Sequence, residues 1–236
     1  MINAIQELAQ SLPIEENYIW DVPSNLPIEI PEEIRGPYAR NIYLKENFQT
    51  LFQNAGLNND HDLDYWIIRD WGNIKTFRIN ENNGKLIEEF LQQINRGQLK
   101  RPMFNRISSL SKVAAFHNPN NYSIYDSRAV YALNWLLFRH TSDRRLFPQP
   151  AGRSRRITEY DTSVLYKLSG RNYEIRPWRR SYHEYCELLK RLSFEALGQD
   201  RAYYLEMLLF VAAPSWVPEN IIQSTSIDIQ ITSHQE

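Results

Sequence analysis

Asn105–His140, NRISSLSKVAAFHNPNNYSIYDSRAVYALNWLLFRH, reads as a short amphipathic helix, a tight connection and a second helix. Ile107, Leu110, Val113, Ala114 and Phe116 recur at helical spacing, so one side of the first helix is apolar. Ser111-Lys112 lies near its beginning. His117-Asn118-Pro119-Asn120-Asn121 is a strong stop, because proline pushes the preceding residue out of helical geometry and asparagine tolerates turns. Tyr122-Ser123-Ile124-Tyr125 then runs extended into Asp126, and a new apolar repeat follows at Val130, Leu133, Leu136 and Leu137. Asp126 therefore sits where a helix N-cap would sit.

Outward from this pair the pattern stays helical. Helices are predicted over 2–11, 38–55, 62–73, 83–96, about 180–197 and about 200–212. Pro37 suits the first turn of the second of these, Gly56 ends it, Gly72 closes the third in a C-terminal turn and Gly97 stops the fourth. Trp66, Ile67 and Trp71 are the expected buried side of the third. Prolines 13, 23, 27 and 31, with acidic residues among them, make 13–36 an irregular arm pinned over the surface. Residues 140–177 read as irregular, with short extended pieces around Ser163–Leu168, and the tail from Pro214 reads as a loose end with a brief alternating Ile pattern. The expected fold class is all-α. Its divisions are an N-terminal arm (1–36), a helical lobe holding the central pair (37–138), an arginine-rich insertion (139–178) and C-terminal helices with a tail (179–236).

Composition narrows the function classes. The 236 residues are rich in aromatics (6 Trp, 14 Tyr, 10 Phe) and carry a net charge of −1, so no global bias draws the chain to nucleic acid. The single cysteine, Cys186, excludes an intrachain disulfide framework and any four-cysteine metal or cluster site, and its apolar helical setting predicts a buried thiol. His117 and His140 lack a partner at metal spacing, so no metal and no cofactor are expected. The N-terminal MINAIQELAQSL lacks the charge-then-apolar order of a signal peptide, and no apolar stretch approaches the ~20 residues a bilayer needs, so a soluble cytoplasmic protein is expected.

Charge is segregated locally. From Arg139 to Arg180 there are eleven basic residues against four acidic ones, and arginine dominates. Phe147, Tyr160, Tyr166, Tyr173 and Trp178 are interleaved with them. Planar guanidinium forks with aromatic faces suit a sugar–phosphate backbone and stacked bases, whereas a solvated, solubilising loop is the plainer alternative.

The central stretch resembles the core of the helix-hairpin-helix DNA glycosylases, the superfamily of the 8-oxoguanine and endonuclease III type enzymes. Ser111-Lys112-Val113-Ala114 matches their lysine-bearing helix start, and Ser123-Ile124-Tyr125-Asp126-Ser127-Arg128-Ala129-Val130 matches their helix-opening aspartate. The glycine-rich hairpin that normally precedes the lysine has no counterpart, since Pro102–Ser108 contains no glycine, and the lysine-to-aspartate interval is shorter than usual. The single cysteine rules out the iron–sulfur subfamily.

The resemblance implies a two-lobed helical bundle with a cleft between the lobes, acting on DNA as a monomer. It implies catalytic roles for Lys112 as a nucleophile at C1′ and for Asp126 as the carboxylate that stabilises charge on the deoxyribose. Taken singly, Asp126 reads as a plain N-cap and Lys112 as a solvent-facing helix residue; the catalytic reading rests on the two together in their matching contexts. Arg128 is expected on the phosphate flanking the extruded nucleotide. Arg106, Arg153, Arg155, Arg156, Arg179 and Arg180 are expected on DNA, and Phe116, Tyr203 and Tyr204 around the base. The implied activity is excision of a damaged or modified base, leaving an abasic site, with β-lyase chemistry through Lys112. An oxidised purine is the family's commonest substrate, and a modified base of phage DNA, removed in antiviral defence, is the other case considered. A non-catalytic nucleic-acid-binding protein on the same scaffold, or a helical module for an acidic protein partner, are the alternatives from other classes.

Overall fold

A computed structural model of the chain describes residues 1–54, 61–152 and 154–226. In chain order its helices are α1 (Ile2–Ser11), α2 (Ile14–Asn17), α3 (Pro37–Asn54), α4 (Asp62–Trp66, running into a π-helical turn over Ile67–Trp71), α5 (Glu81–Asn95), α6 (Arg101–Phe104), α7 (Ile107–His117), α8 (Ser127–His140), α9 (Arg155–Glu159), α10 (Thr162–Leu168), α11 (Trp178–Leu197), α12 (Ala202–Ala212) and α13 (Trp216–Ser224). Two-residue strands, β1 (Arg145–Leu146) and β2 (Glu174–Ile175), pair in parallel. The all-α expectation holds.

Helix α8 is the centre of the molecule. Every residue from Ala129 to Phe138 is buried, the signature of a helix packed on all sides. It lies against α12, which in turn packs on α11, and α1 covers α11 with Ile5 and Leu8. A second, smaller cluster forms where α3, α4 and α7 meet, with Leu44, Phe48, Trp66, Ile67, Trp71 and Phe116 inside it. Helix α7 belongs to both: Leu110, Val113 and Ala114 enter the large cluster, and Ala115 and Phe116 the smaller one. A lysine on this helix therefore lies at the seam between two cores.

Three expectations are corrected. Ser163–Leu168 is part of α10 rather than an extended piece. Its buried residues, Thr162 and Tyr166, are four apart, and Asp161 caps its start by accepting the Ser163 N–H at 2.8 Å. Nor is 140–177 otherwise wholly irregular, since it also holds α9, β1 and β2. The tail is not loose through residue 224: Val217 and Ile221, also four apart, are buried, and Asn220 Oδ1 accepts the Trp135 indole N–H at 2.9 Å. Pro218 sits in the first turn of α13, where a missing N–H leaves nothing unsatisfied. The expected end at Gly56 and the Ile alternation beyond 226 lie outside the described residues.

No single helix among the described residues is long and apolar enough to cross a membrane, although α12 and α13 pass that test as a pair bent by 65°.

Candidate active site

The segment between α7 and α8 determines which side chains meet. Backbone groups of Ser123–Tyr125 are fixed from two sides. The Tyr182 and Tyr185 hydroxyls of α11 donate to the carbonyls of Ser123 and Ile124, at 3.1 and 2.8 Å, and Ser111 Oγ on α7 accepts the Tyr125 N–H at 3.0 Å. Residue 126 is thereby held next to the helix that carries residue 112.

Asp126 is the N-cap the sequence predicted. Its Oδ1 accepts the backbone N–H of Arg128 and of Ala129, both at 2.9 Å, which orients the carboxylate at the positive end of α8. Lys112 is 8% exposed, and its Nζ donates to the Ser108 carbonyl one turn back at 2.6 Å. Burial pulls the Lys112 pKa below the ordinary lysine value, Asp126 and Glu206 oppose that shift, and Lys45 adds to it. The solvent-facing alternative for this lysine does not hold.

Both side chains line one cleft of about 410 Å³. Tyr18, Trp20, Trp71 and Phe210 supply aromatic wall, and Ser108, Ser109, Arg128 and Glu206 supply polar groups. Arg128 lies across the Phe210 ring, 4.6 Å from its centroid. The irregular arm thus builds part of the site. Trp20 donates its indole N–H to the Trp71 carbonyl at 3.1 Å, and Asn41 joins the two, donating to the Trp20 carbonyl and accepting the Trp71 indole N–H, both at 2.7 Å.

The π-helical turn brings Trp71 and Gly72 into the wall. Gly72 does end this element, but with a right-handed φ of −77°, and Asn73, at φ 51°, takes the left-handed position expected of the glycine. What Gly72 supplies is room: a Cβ there would stand 2.8 Å from Lys112 Cδ and 2.7 Å from the Ile68 carbonyl oxygen. Gly72→Ala is therefore expected to displace the lysine, lowering any rate that depends on its amine by at least ~10-fold. It should also cost about 1–3 kcal/mol of stability through overpacking. A Lys112 adduct-forming rate equal to wild type, measured beside a thermal melt, would contradict this reading.

The other predicted residues are spread more widely. Arg155 and Arg156 are exposed on α9, just after the cleft-lining Ser154, with Arg155 bound to Glu159 at 2.8 Å. Arg106 is exposed immediately before α7, and Arg179 and Arg180 are exposed on the first turn of α11. Arg153 lies outside the described residues.

Phe116, Tyr203 and Tyr204 are not brought to the cleft. Phe116 is fully buried, its ring 4.9 Å from that of Trp71, and the Lys45 ammonium lies between the rings of Trp71, Phe116 and Tyr203. Tyr203 is buried with its hydroxyl on Glu46 at 2.7 Å, and Tyr204 opens on a separate surface pocket with Tyr38. Phe116 shares a helical face with Lys112, but Trp71 and Lys45 take the space that would expose it.

Sequence reasoning missed Tyr18, Trp20, Phe210, Lys45 and Glu206. One signal was present: Glu206 is the lone charged residue in α12, AYYLEMLLFVA. Cys186 is buried as predicted, its thiol pushed up to about 12 chiefly by burial. Among the described residues no group of three or more His, Cys, Asp or Glu side chains is placed to hold a metal ion. No family model, curated protein or solved structure matches the chain.

Proposed function

We propose that the chain is a DNA N-glycosylase on a divergent helix-hairpin-helix glycosylase scaffold. It removes a damaged or modified base, with modified phage DNA as one candidate source, and acts as a cytoplasmic monomer. The observation that carries this is the convergence of the Lys112 amine and the Asp126 carboxylate on one aromatic-walled cleft.

The chemistry follows from their surroundings. A buried amine with a lowered pKa has a larger neutral fraction, and only the neutral form has the lone pair that attacks C1′. As the Lys112 nitrogen bonds to C1′, the glycosidic bond breaks and its electron pair leaves with the base. Loss of the amine proton and opening of the sugar ring give a Schiff base, from which β-elimination can follow. Positive charge builds on the sugar during bond breaking, and the fixed Asp126 carboxylate stabilises it. A base reaches this cleft only after leaving the stack, at a cost of a few kcal/mol. Aromatic faces from Trp20, Trp71 and Phe210 suit a flat ring system, and Arg128 suits the adjoining phosphate.

The test is borohydride trapping on duplexes containing 8-oxoguanine and on genomic DNA from phages with modified bases. Wild type is expected to form a covalent protein–DNA adduct and to release a base identifiable by mass spectrometry. Lys112→Gln should form none. An equal adduct yield in that variant, or no adduct and no released base from any of these DNAs, would sink the proposal.

A further inference from the structure

The cleft contains an acid that the chemistry above does not use. Glu206 lines it alongside Lys112 and Asp126, is 3% exposed, and has an Oε2 with no hydrogen-bond partner. Behind it stands Lys45, 1% exposed, whose Nζ is 3.7 Å from Glu206 Oε2 and likewise lacks a hydrogen-bond partner. Aromatic rings enclose that ammonium, with the centroids of Trp71, Phe116 and Tyr203 at 5.4, 5.4 and 5.8 Å. Apolar residues of similar volume would pack these two positions at lower cost than a desolvated, loosely paired ion pair. A buried carboxyl group that lines a cleft with aromatic walls, and whose lysine stands 3.7 Å away, is instead placed to meet a ligand.

Resting on the glycosylase reading, we infer that Glu206 is the general acid that protonates the departing base, with Lys45 as its positioning residue. As the C1′–N bond breaks and its electron pair stays on the base, the Glu206 carboxyl passes its proton to a ring nitrogen or exocyclic oxygen of that base. Glu206 is left as a carboxylate beside the Lys45 ammonium, and water returns the proton after the base leaves. The proton released by the attacking Lys112 amine goes separately to solvent.

Two carboxyl groups in different environments divide the labour. Asp126 sits on two backbone N–H donors at a helix start, whereas Glu206 is buried on an otherwise uncharged helix. Burial is the largest influence on Glu206 and moves it up to about 7, where a general acid is most effective near neutral pH. Asp126 pushes in the same direction, while Lys45 from α3 and Lys112 from α7 push it down. The other titratable groups near it are Tyr18 from the arm and Tyr185 and Cys186 from α11, all raised by burial and so uncharged at neutral pH. The cationic Arg128 lines the same cleft.

The test is the pH dependence of single-turnover base release, measured on the trapping-panel DNA that wild type processes fastest. Wild type should show a bell whose two limbs come from deprotonation of the Lys112 amine, which raises the rate, and of Glu206, which lowers it. Glu206→Gln should lose about 10²-fold in rate and lack the falling limb, while keeping the rising one. Should the glutamine variant fail to fold by circular dichroism, Lys45→Met/Glu206→Gln, which removes both charges, is read for the same limb. An unchanged falling limb in whichever variant folds, or an unchanged rate, overturns the assignment of Glu206 while leaving Lys112 and Asp126 in place. A wild type that forms no adduct and releases no base overturns the glycosylase reading and this inference together.

Discussion

Asp126→Asn is expected to leave the fold intact and to lower base release by about 10³-fold. The aspartate has two separable jobs. As N-cap it accepts two backbone N–H groups of α8, and asparagine performs that job about as well as aspartate. In the proposed glycosylase reaction its carboxylate, lining the cleft, offers full negative charge to a cationic sugar, which a neutral amide of the same shape does not. Melting temperature should therefore stay at the wild-type value while single-turnover release collapses. Asp126→Ala removes both contributions and should add a stability loss of about 1 kcal/mol, the usual worth of a cap. The contrast between the two variants isolates the charge from the helix start. An asparagine variant with wild-type release would reduce Asp126 to a structural cap, the plain reading its sequence position also allows.

This division of roles bears on what could be read in the sequence. The α7–α8 pair was legible because each part of the signal is local: apolar spacing, a proline stop and an aspartate opening the next apolar run. Lys112 and Asp126 are 14 residues apart, and the turn between them is short enough for their meeting to be anticipated. The cleft walls were not legible. Trp20 reaches Trp71 across 51 residues through an indole hydrogen bond and the bridging Asn41, and nothing in a proline-rich arm announces these partners. Glu206 was visible as an anomaly in an apolar helix, but the lysine it faces is 161 residues earlier on α3. Helices α10 and α13 failed for another reason. Each is a short helix whose buried residues include one pair spaced four apart, and over so few residues helical and alternating patterns overlap. The base-pocket residues failed because helical spacing gives the face but not the depth. Phe116 shares the face of Lys112 and lies a layer deeper, under Trp71.

Lys45→Met should be among the most destabilising single substitutions available, at about 3–5 kcal/mol near pH 8. For a chain of this size that corresponds to a fall of ~10 °C in melting temperature. Methionine fills the lysine stem's volume among Trp71, Phe116 and Tyr203, so lost packing is a small part of the effect. The large part is Glu206, left buried with Asp126 nearby and without the cation that had been lowering its pKa. The loss must then depend on pH in a known direction. The folded Glu206 value lies above its unfolded value near 4.3, so its contribution is intact below about pH 4 and declines as pH rises through the folded value. In the wild type that decline runs from about 4.3 to about 7, and without Lys45 it extends to higher pH. Thermal melts should therefore place Lys45→Met closest to wild type near pH 5 and furthest from it near pH 8. Lys45→Met/Glu206→Gln, with both charges gone, should recover much of the loss and flatten the difference across that range. A deficit in Lys45→Met that is constant from pH 5 to pH 8 would mean that Lys45 holds the fold through packing alone, with no ionised Glu206 beside it.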